Sequence, residues 1–553
     1  MPAAGLEAQA RLVAALQRRL QAAPGLAAGG DGGVRCIETH ISFVLLAGER
    51  AYKIKKAVDL GFVDFRALAQ REFYCREELR LNRRTAPELY LDVLPVSGTP
   101  ERPVLGGHAG APAIEWALQM RAFDQDGLWE RLAARGALSG VHIDALAETL
   151  AEFHGAAETV HAGSPWGSPE SVRAPVRDSL RVLDGLCRGA EQRAALARLS
   201  RWEAQAHAAL RASFERRRQH GRVRDVHGDL HLGNVTQFEG RTRLFDCLEF
   251  SAELRCSDVF ADLAFMAMDL QAHGLDGLAH RLVNAYVERS GDAGGLRVLR
   301  YYIVYRALVR AKVAALRSAQ LEDVDDAAGA AEERAAAARS RQTYLQAALR
   351  GSTPAVPVLL LTHGFSGSGK TALTQSLLEL CGALRFRADV ERKRLYGLDA
   401  LAASDAALKP RLYSREASRA TQARLRELAA LALRAGWPVI LDATFLDFET
   451  RQQARELAAR LGVRCRIIDF RASPATLRQR VAQRRGDASE ADLAVLEQQM
   501  AHASPLTADE EAQVVVFDAE AALDAAQMAD RAGMAERWAP LLRWLQPSAA
   551  GAP

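Results

Sequence analysis

A chain of 553 residues exceeds one typical core of about 100–200 residues, so two or three large domains are expected. Its 49% apolar and 25% charged residues are ordinary for a globular protein, and 72 basic against 68 acidic residues give no bulk-electrostatic case for nucleic acid. Seven cysteines, at 36, 75, 187, 247, 256, 381 and 465, stand singly with no C-x-x-C pair, which speaks against a disulfide framework or zinc site and fits a reducing cytoplasm.

Residues 6–22 read as an amphipathic packing helix with Leu6, Leu12, Val13, Leu16 and Leu20 on one side, closed by Pro24-Gly25. Glu7, Arg11, Arg18 and Arg19 interrupt this segment, and no run of about 18 apolar residues occurs, so neither export nor a membrane span is expected. Ile41 to Leu46 and Arg50 to Lys55 are short strands around Ala47-Gly48-Glu49, a hairpin pattern. Period-two alternation puts Lys53 and Lys55 on one face and Lys56 on the other. Gln70 to Arg84 has helical spacing and carries Glu77 and Glu78. Further strands are expected between Pro103 and Phe123, leading to a hinge near Met120-Arg121. Ile143 to His154 follows as a helix with His154 as its polar end.

His227 to Asp246, HGDLHLGNVTQFEGRTRLFD, places three metal- or proton-handling side chains at the spacing that phosphoryl transfer needs. Asp229 and Asn234 form the D-x-x-x-x-N pattern of a kinase catalytic loop, and Asp246 ends the apolar Leu244-Phe245 run. Phosphoryl transfer asks mainly for positioning and charge neutralisation. Asp229 is therefore the candidate base, while Asn234 and Asp246 offer the oxygen ligands that Mg²⁺ prefers. His227 and Gly228 shape the turn. The ordered set His227, Gly228, Asp229, Asn234 and Asp246 resembles the aminoglycoside phosphotransferase and choline kinase superfamily. The resemblance implies a two-lobe, protein-kinase-like α+β fold that binds ATP and Mg²⁺.

Such a fold needs a strand lysine on the ATP phosphates, tied by a helix carboxylate. Lys55 or Lys53 fills the first role and Glu78, in preference to Glu77, the second. No G-x-G-x-x-G, V-A-I-K or D-F-G is present, which favours the small-molecule branch over protein kinases. Asp258 and Asp262 read as caps of a helical run, and residues 259–316 as helices whose Tyr301, Tyr302, Val304, Tyr305 and Leu308 form an apolar face. Residues 317–350 read as an exposed helix, and GSTPAVP at 351–357 as a joint. The expected division is a kinase-like domain at 1–345, a linker at 346–357, a P-loop domain at 358–525 and a tail at 526–553.

Val358 to Thr362 is an apolar strand running into Gly364-Phe365-Ser366-Gly367-Ser368-Gly369-Lys370-Thr371, a full G-x-x-x-x-G-K-[ST] loop, and then a helix with Leu373, Leu377 and Leu380 on one stripe. Backbone N–H groups there attract phosphate, Lys370 reaches β/γ oxygens and Thr371 ligates Mg²⁺. Strands at 384–388, 438–441, 464–468 and 514–517, separated by helical patterns, predict an α/β parallel sheet. Asp442 at a strand end is either a Walker B-type magnesium contact or a cap. Asp389 and Arg392 resemble the pair in polynucleotide-kinase-like P-loop kinases, which implies an Asp that activates the acceptor hydroxyl and an Arg that places a phosphate. Arg480, Arg484 and Arg485 read either as a lid over the transferring phosphate or as a solvated basic helix.

Over nearly its full length the chain resembles bacterial proteins that fuse an aminoglycoside-phosphotransferase-like domain to an AAA-type or zeta-toxin-like ATP-binding domain. The expectation is a cytoplasmic ATP- and Mg²⁺-dependent kinase with two nucleotide sites, the first acting on a small hydroxylated molecule and the second on a small metabolite or a nucleotide end. The alternatives are an ATP-controlled binding protein, and an enzyme acting on nucleic-acid ends with a basic groove around Asp389 and Arg392.

Overall fold

The alternating apolar residues near the amino end build an antiparallel sheet. Its strands are β1 (Arg35–Glu38), β2 (Ser42–Ala47), β3 (Arg50–Lys55), β4 (Tyr90–Thr99), β5 (Arg102–Leu105) and β6 (Glu115–Arg121), in the order β1-β2-β3-β6-β4-β5. Ala47 pairs with Arg50, and Gly48, at φ 58°, makes the tight turn between β2 and β3 without a Cβ clash. The helix Pro2–Gln21 buries Leu12, Val13 and Leu16 against Phe43, Leu45 and Ile54 on one face of the sheet. The helix Leu68–Asn82 buries Cys75, with Tyr90, Val93, Leu118 and Phe238 in the same cluster. Burial of each such side chain contributes about 1.5–3 kcal/mol. Strands β7 (Val223–Asp225) and β10 (Cys256–Asp258) then pair with each other, and β8 (Val235–Phe238) with β9 (Arg241–Leu244).

This computed structural model describes residues 2–22, 33–59, 61, 63–108, 110–161, 163–187, 189–321, 328–353, 355–400, 402, 409–483, 489–520, 527, 528 and 530–546. The chain forms two compact units. One comprises Met1–Ala145, Glu152–Val172 and Arg218–Met266, and the other Leu146–Ala151, Arg173–Arg217 and Ala267–Pro553. These limits do not follow the expected division at 346–357. In the second unit the helix Asp276–Ser290 lies on Lys370–Cys381, with Arg281 Nη1 2.7 Å from Glu379 Oε1 and His280 Nδ1 3.0 Å from the Glu379 carbonyl.

The second unit holds most of two helices that sequence periodicity did not single out, Pro169–Leu186 and Ala190–Gln219, together with Leu296–Gln320 and Ala328–Gly351. The expected linker is helical as far as Gly351, and the expected exposed helix is buried at Tyr344, Leu345, Ala347 and Ala348. Tyr344 donates its hydroxyl to Asp269 at 2.7 Å, which gives this alanine-rich segment a fixed seat. Strands β11 (Val358–His363), β12 (Leu384–Arg387), β13 (Val439–Asp442), β14 (Arg464–Arg471) and β15 (Val514–Asp518) form a wholly parallel sheet in the order β12-β13-β11-β14-β15. Successive strands are added on one side of β11 and then on the other, so its carboxyl end is the topological switch point where such sheets bind ligands.

Residues after 526 are more than a tail. The helices Arg531–Arg537 and Ala539–Leu545 contribute Met534 and Leu541 to the buried cluster of Leu360, Leu377, Ile440 and Phe517, and Trp538 between them joins the same cluster. Trp538 Nε1 donates to Ser376 Oγ at 3.0 Å, which satisfies the one polar atom of a side chain that is 1% exposed. Among the described residues no helix is long and apolar enough to cross a membrane.

Candidate active sites

In the first unit the stretch His227 to Asp246 leaves β7 and is tied down from behind. The Asp262 carboxylate accepts the N–H of His227 at 2.7 Å and of Gly228 at 2.9 Å, and His154 Nε2 lies 3.3 Å from the same carboxylate. Asp262 therefore does more than cap its helix, Val259–Ala272, and His154 is buried rather than a polar helix end. Asp258 does act locally, accepting the Phe260 N–H at 2.9 Å. His227 is fully buried with Nε2 3.0 Å from the Phe245 carbonyl, and burial pulls its pKa below the usual histidine value.

Asn234 Nδ2 donates to the Asp229 carbonyl at 2.9 Å and to its Oδ2 at 3.2 Å, so the two polar ends of D-x-x-x-x-N share one turn. Asp246 sits in the left-handed region at φ 59°, with its N–H on the Tyr90 hydroxyl at 3.0 Å. A non-glycine residue held there stores about 1–3 kcal/mol of strain, an outlay typical of functional loops.

The two lysines differ in their second partner. Lys53 Nζ binds Glu78 Oε1 at 2.8 Å and Asp246 Oδ1 at 2.5 Å, whereas Lys55 Nζ binds Glu78 Oε2 at 2.7 Å and also pairs with Glu249. Burial alone would raise the Glu78 carboxyl, but the two ammonium groups hold it down at about 2. Burial raises the Glu249 carboxyl, with Lys55 opposing. Glu77 faces outward and pairs with Arg80 at 2.8 Å. Sequence reasoning missed Glu249, Asp262 and Tyr90. Each meets its partner across at least 34 residues of chain, a separation that local spacing does not encode.

In the second unit β11 feeds the phosphate loop. Gly364 has φ 137°, and a Cβ there would lie 2.7 Å from the Phe470 carbonyl oxygen; Gly367 has φ 89° with the Leu477 carbonyl oxygen 2.9 Å from the corresponding point. Both positions exclude side chains on backbone and steric grounds. Lys370 Nζ donates to the carbonyls of Gly364 at 2.9 Å and Phe365 at 2.7 Å and to Ser368 Oγ at 3.3 Å. Gly369, also at positive φ, immediately precedes the helix Lys370–Cys381. Thr371 Oγ1 donates to Asp442 Oδ2 at 2.7 Å, so Asp442 joins the loop instead of capping its own strand. The Ser366 N–H donates to Gln499 Oε1 at 3.0 Å, a partner that the sequence did not reveal.

Asp389 lies in the first turn of the helix Ala388–Leu395 and Arg392 in its last; the two bond to each other at 2.5 Å, and Arg392 stacks on Tyr413 with 5.0 Å to the ring centroid. Asp442 pairs in register with Arg387, two residues before Asp389, so both carboxylates stand at the carboxyl edge of the sheet. Arg480 departs from the lid expectation: its guanidinium is engaged by the carbonyls of Ala519 at 2.8 Å and Glu520 at 3.0 Å. The helix Pro474–Gln483 presents it to the end of β15. Arg484 and Arg485 lie outside the described residues.

In the second site Thr371 and Asp442 are bonded into a small oxygen set, and in the first Asn234 and Asp246 each carry a side-chain oxygen. That donor chemistry fits a cation which takes one or two protein ligands and completes its shell from phosphate and water.

The sequence model of the phosphotransferase enzyme family matches residues 102–302, and that of an AAA domain matches 359–506. Uncharacterized proteins of Mycobacterium bovis and Mycobacterium tuberculosis are each 33% identical over 457 residues, which is 82% of this chain and 87% of theirs. Among solved structures, a choline/ethanolamine kinase family protein from Mesorhizobium loti is 17% identical, covering 61% of this chain and 99% of that one at a TM-score of 0.34. A gluconokinase from Sinorhizobium meliloti 1021 is 21% identical, covering 34% and 98% at a TM-score of 0.23.

Proposed function

This chain belongs to the family of those mycobacterial proteins and joins a phosphotransferase-family domain to an AAA-type P-loop domain, and from that premise we propose an ATP- and Mg²⁺-dependent kinase with two nucleotide sites. The first phosphorylates a small hydroxylated molecule, and the second a small metabolite or a nucleotide end. One observation carries the reading. Lys53 bridges the helix carboxylate Glu78 and the loop carboxylate Asp246, 193 residues away, as a lysine must if it is to meet ATP phosphates beside a metal ligand.

In the first site Lys53 holds the α- and β-phosphates while Asp229 accepts the acceptor's hydroxyl proton, its turn fixed by Asn234 and Asp262. In the second, the loop amides and Lys370 hold the β/γ oxygens, Asp389 accepts the proton and Arg392 places a phosphate. Asn234 and Asp246 in one site, and Thr371 and Asp442 in the other, would hold Mg²⁺, which would supply charge neutralisation of the phosphate oxygens. All seven cysteines are free thiols, in keeping with a cytoplasmic protein.

A metabolite screen with labelled ATP tests this on the wild type, Asp229→Ala and Lys370→Ala. Each variant is expected to lose its own labelled product. Retention of every product by both variants refutes the reading, and ATP turnover without any phosphorylated product points to an ATP-controlled binding protein instead.

A further inference from the structure

The peptide unit between Phe365 and Ser366 is held from both ends. Its carbonyl accepts Lys370 Nζ at 2.7 Å and its N–H donates to Gln499 Oε1 at 3.0 Å. In a trans peptide these two groups point in opposite directions, so Gln499 grips the loop from the side away from the lysine. A second observation fixes this contact in place. Phe365 packs into an apolar cluster of Leu477, Val481 and Leu496, with Met500 next to Gln499, so the helices Pro474–Gln483 and Leu493–His502 both bear on the loop. Rotation of this one peptide would withdraw a carbonyl from Lys370 and leave the partly buried Ser366 N–H without its acceptor.

We propose that Gln499 is a positioning residue of the P-loop: it sets the Phe365–Ser366 peptide so that Lys370 is aimed at the β/γ-phosphates. It touches neither nucleotide nor acceptor and acts through the loop backbone. The proposal rests on the reading that this loop binds ATP. What it adds is a requirement for a hydrogen-bond acceptor, rather than mere bulk, on the helix Leu493–His502.

The test measures Mg-ATP affinity of the full chain by titration calorimetry in a Lys53→Met background, which leaves the P-loop as the nucleotide site, with Lys370→Met as the control. Gln499→Met keeps length and apolar packing but offers no acceptor for the N–H, and is expected to weaken binding on the order of three- to tenfold, the worth of one neutral hydrogen bond. Gln499→Glu keeps an oxygen for the same N–H and is expected to bind more tightly than methionine, its remaining deficit against glutamine shrinking as salt screens the added carboxylate from the phosphates. Thermal midpoints of the two variants should agree. A methionine variant that binds like the parent, or a glutamate variant as weak as methionine, overturns the proposal. Absence of any Lys370-dependent Mg-ATP binding in the Lys53→Met background refutes the ATP reading itself, and the inference falls with it.

Discussion

Replacing Lys55 by methionine removes an ammonium that is 1% exposed and joins Glu78 to Glu249, itself 5% exposed. Glu78 keeps Lys53, but Glu249 is left as a buried carboxylate without the ammonium that it faced. Breaking such a pair from one side destabilises by about 3–5 kcal/mol, whereas replacing both members with apolar residues of similar volume is close to neutral. Lys55→Met should therefore be strongly destabilised, and Lys55→Met with Glu249→Leu should recover most of the loss. Amide exchange followed by mass spectrometry reads this on peptides covering β3 and the helix Leu68–Asn82. Opening should be roughly a hundred- to a few-thousandfold more frequent in the single variant and near parental in the double. The deficit of the single variant should also shrink as pH falls, because the folded-state pKa of Glu249 is already raised and protonation removes the unpaired charge. If the double variant opens as often as the two single effects multiplied together, Lys55 and Glu249 do not act as a pair and the reasoning fails.

Asp229→Asn should lower kcat of the first site about 10²- to 10⁴-fold with little change in the KM for ATP, measured with an acceptor from the screen; a change confined to KM contradicts its role as base. Asp442→Asn should bring the Mg-ATP affinity of the P-loop down toward that seen in EDTA, and an unaltered Mg²⁺ dependence removes Asp442 from the metal site. His227 is buried and His280 half-buried, both with pKa values that desolvation lowers below the usual 6.5, so between that value and the folded pKa the unfolded chain binds protons that the folded chain does not. Stability is then lost as pH falls below about 6.5, and a His280→Gln variant should show a shallower acid slope in urea titrations; an unchanged slope counts against the neutral ring. Trp538→Ala should cost about 3–5 kcal/mol and lower the temperature at which Lys370-dependent nucleotide binding disappears, and an unshifted temperature refutes its place in that core.

What the sequence made legible lies where chemistry is contiguous. Gly364 to Thr371 is a single loop between a strand and a helix, and Asp229 to Asn234 a single turn, so local spacing sufficed for both. Period two placed Lys53 and Lys55 on one face and could not choose between them. The choice depends on Asp246 and Glu249, which arrive on a segment more than 190 residues later. For the same reason Asp262 reads locally as a helix cap although its oxygens hold the His227 and Gly228 amides. Composition gives Arg480 a charge but not a direction: the carbonyls of Ala519 and Glu520 take up its guanidinium. The segment after 526 reads as a tail because its two helices are short, and their worth lies in the apolar layer that they complete.

That layer bears on how the protein is made. A ribosome that has already delivered the phosphate loop still withholds Met534, Trp538 and Leu541, so the nascent sheet carries an unfilled apolar trough beside Leu377 and Phe517. Competence to hold nucleotide should therefore come late in translation. A chain stalled earlier would show that trough to chaperones.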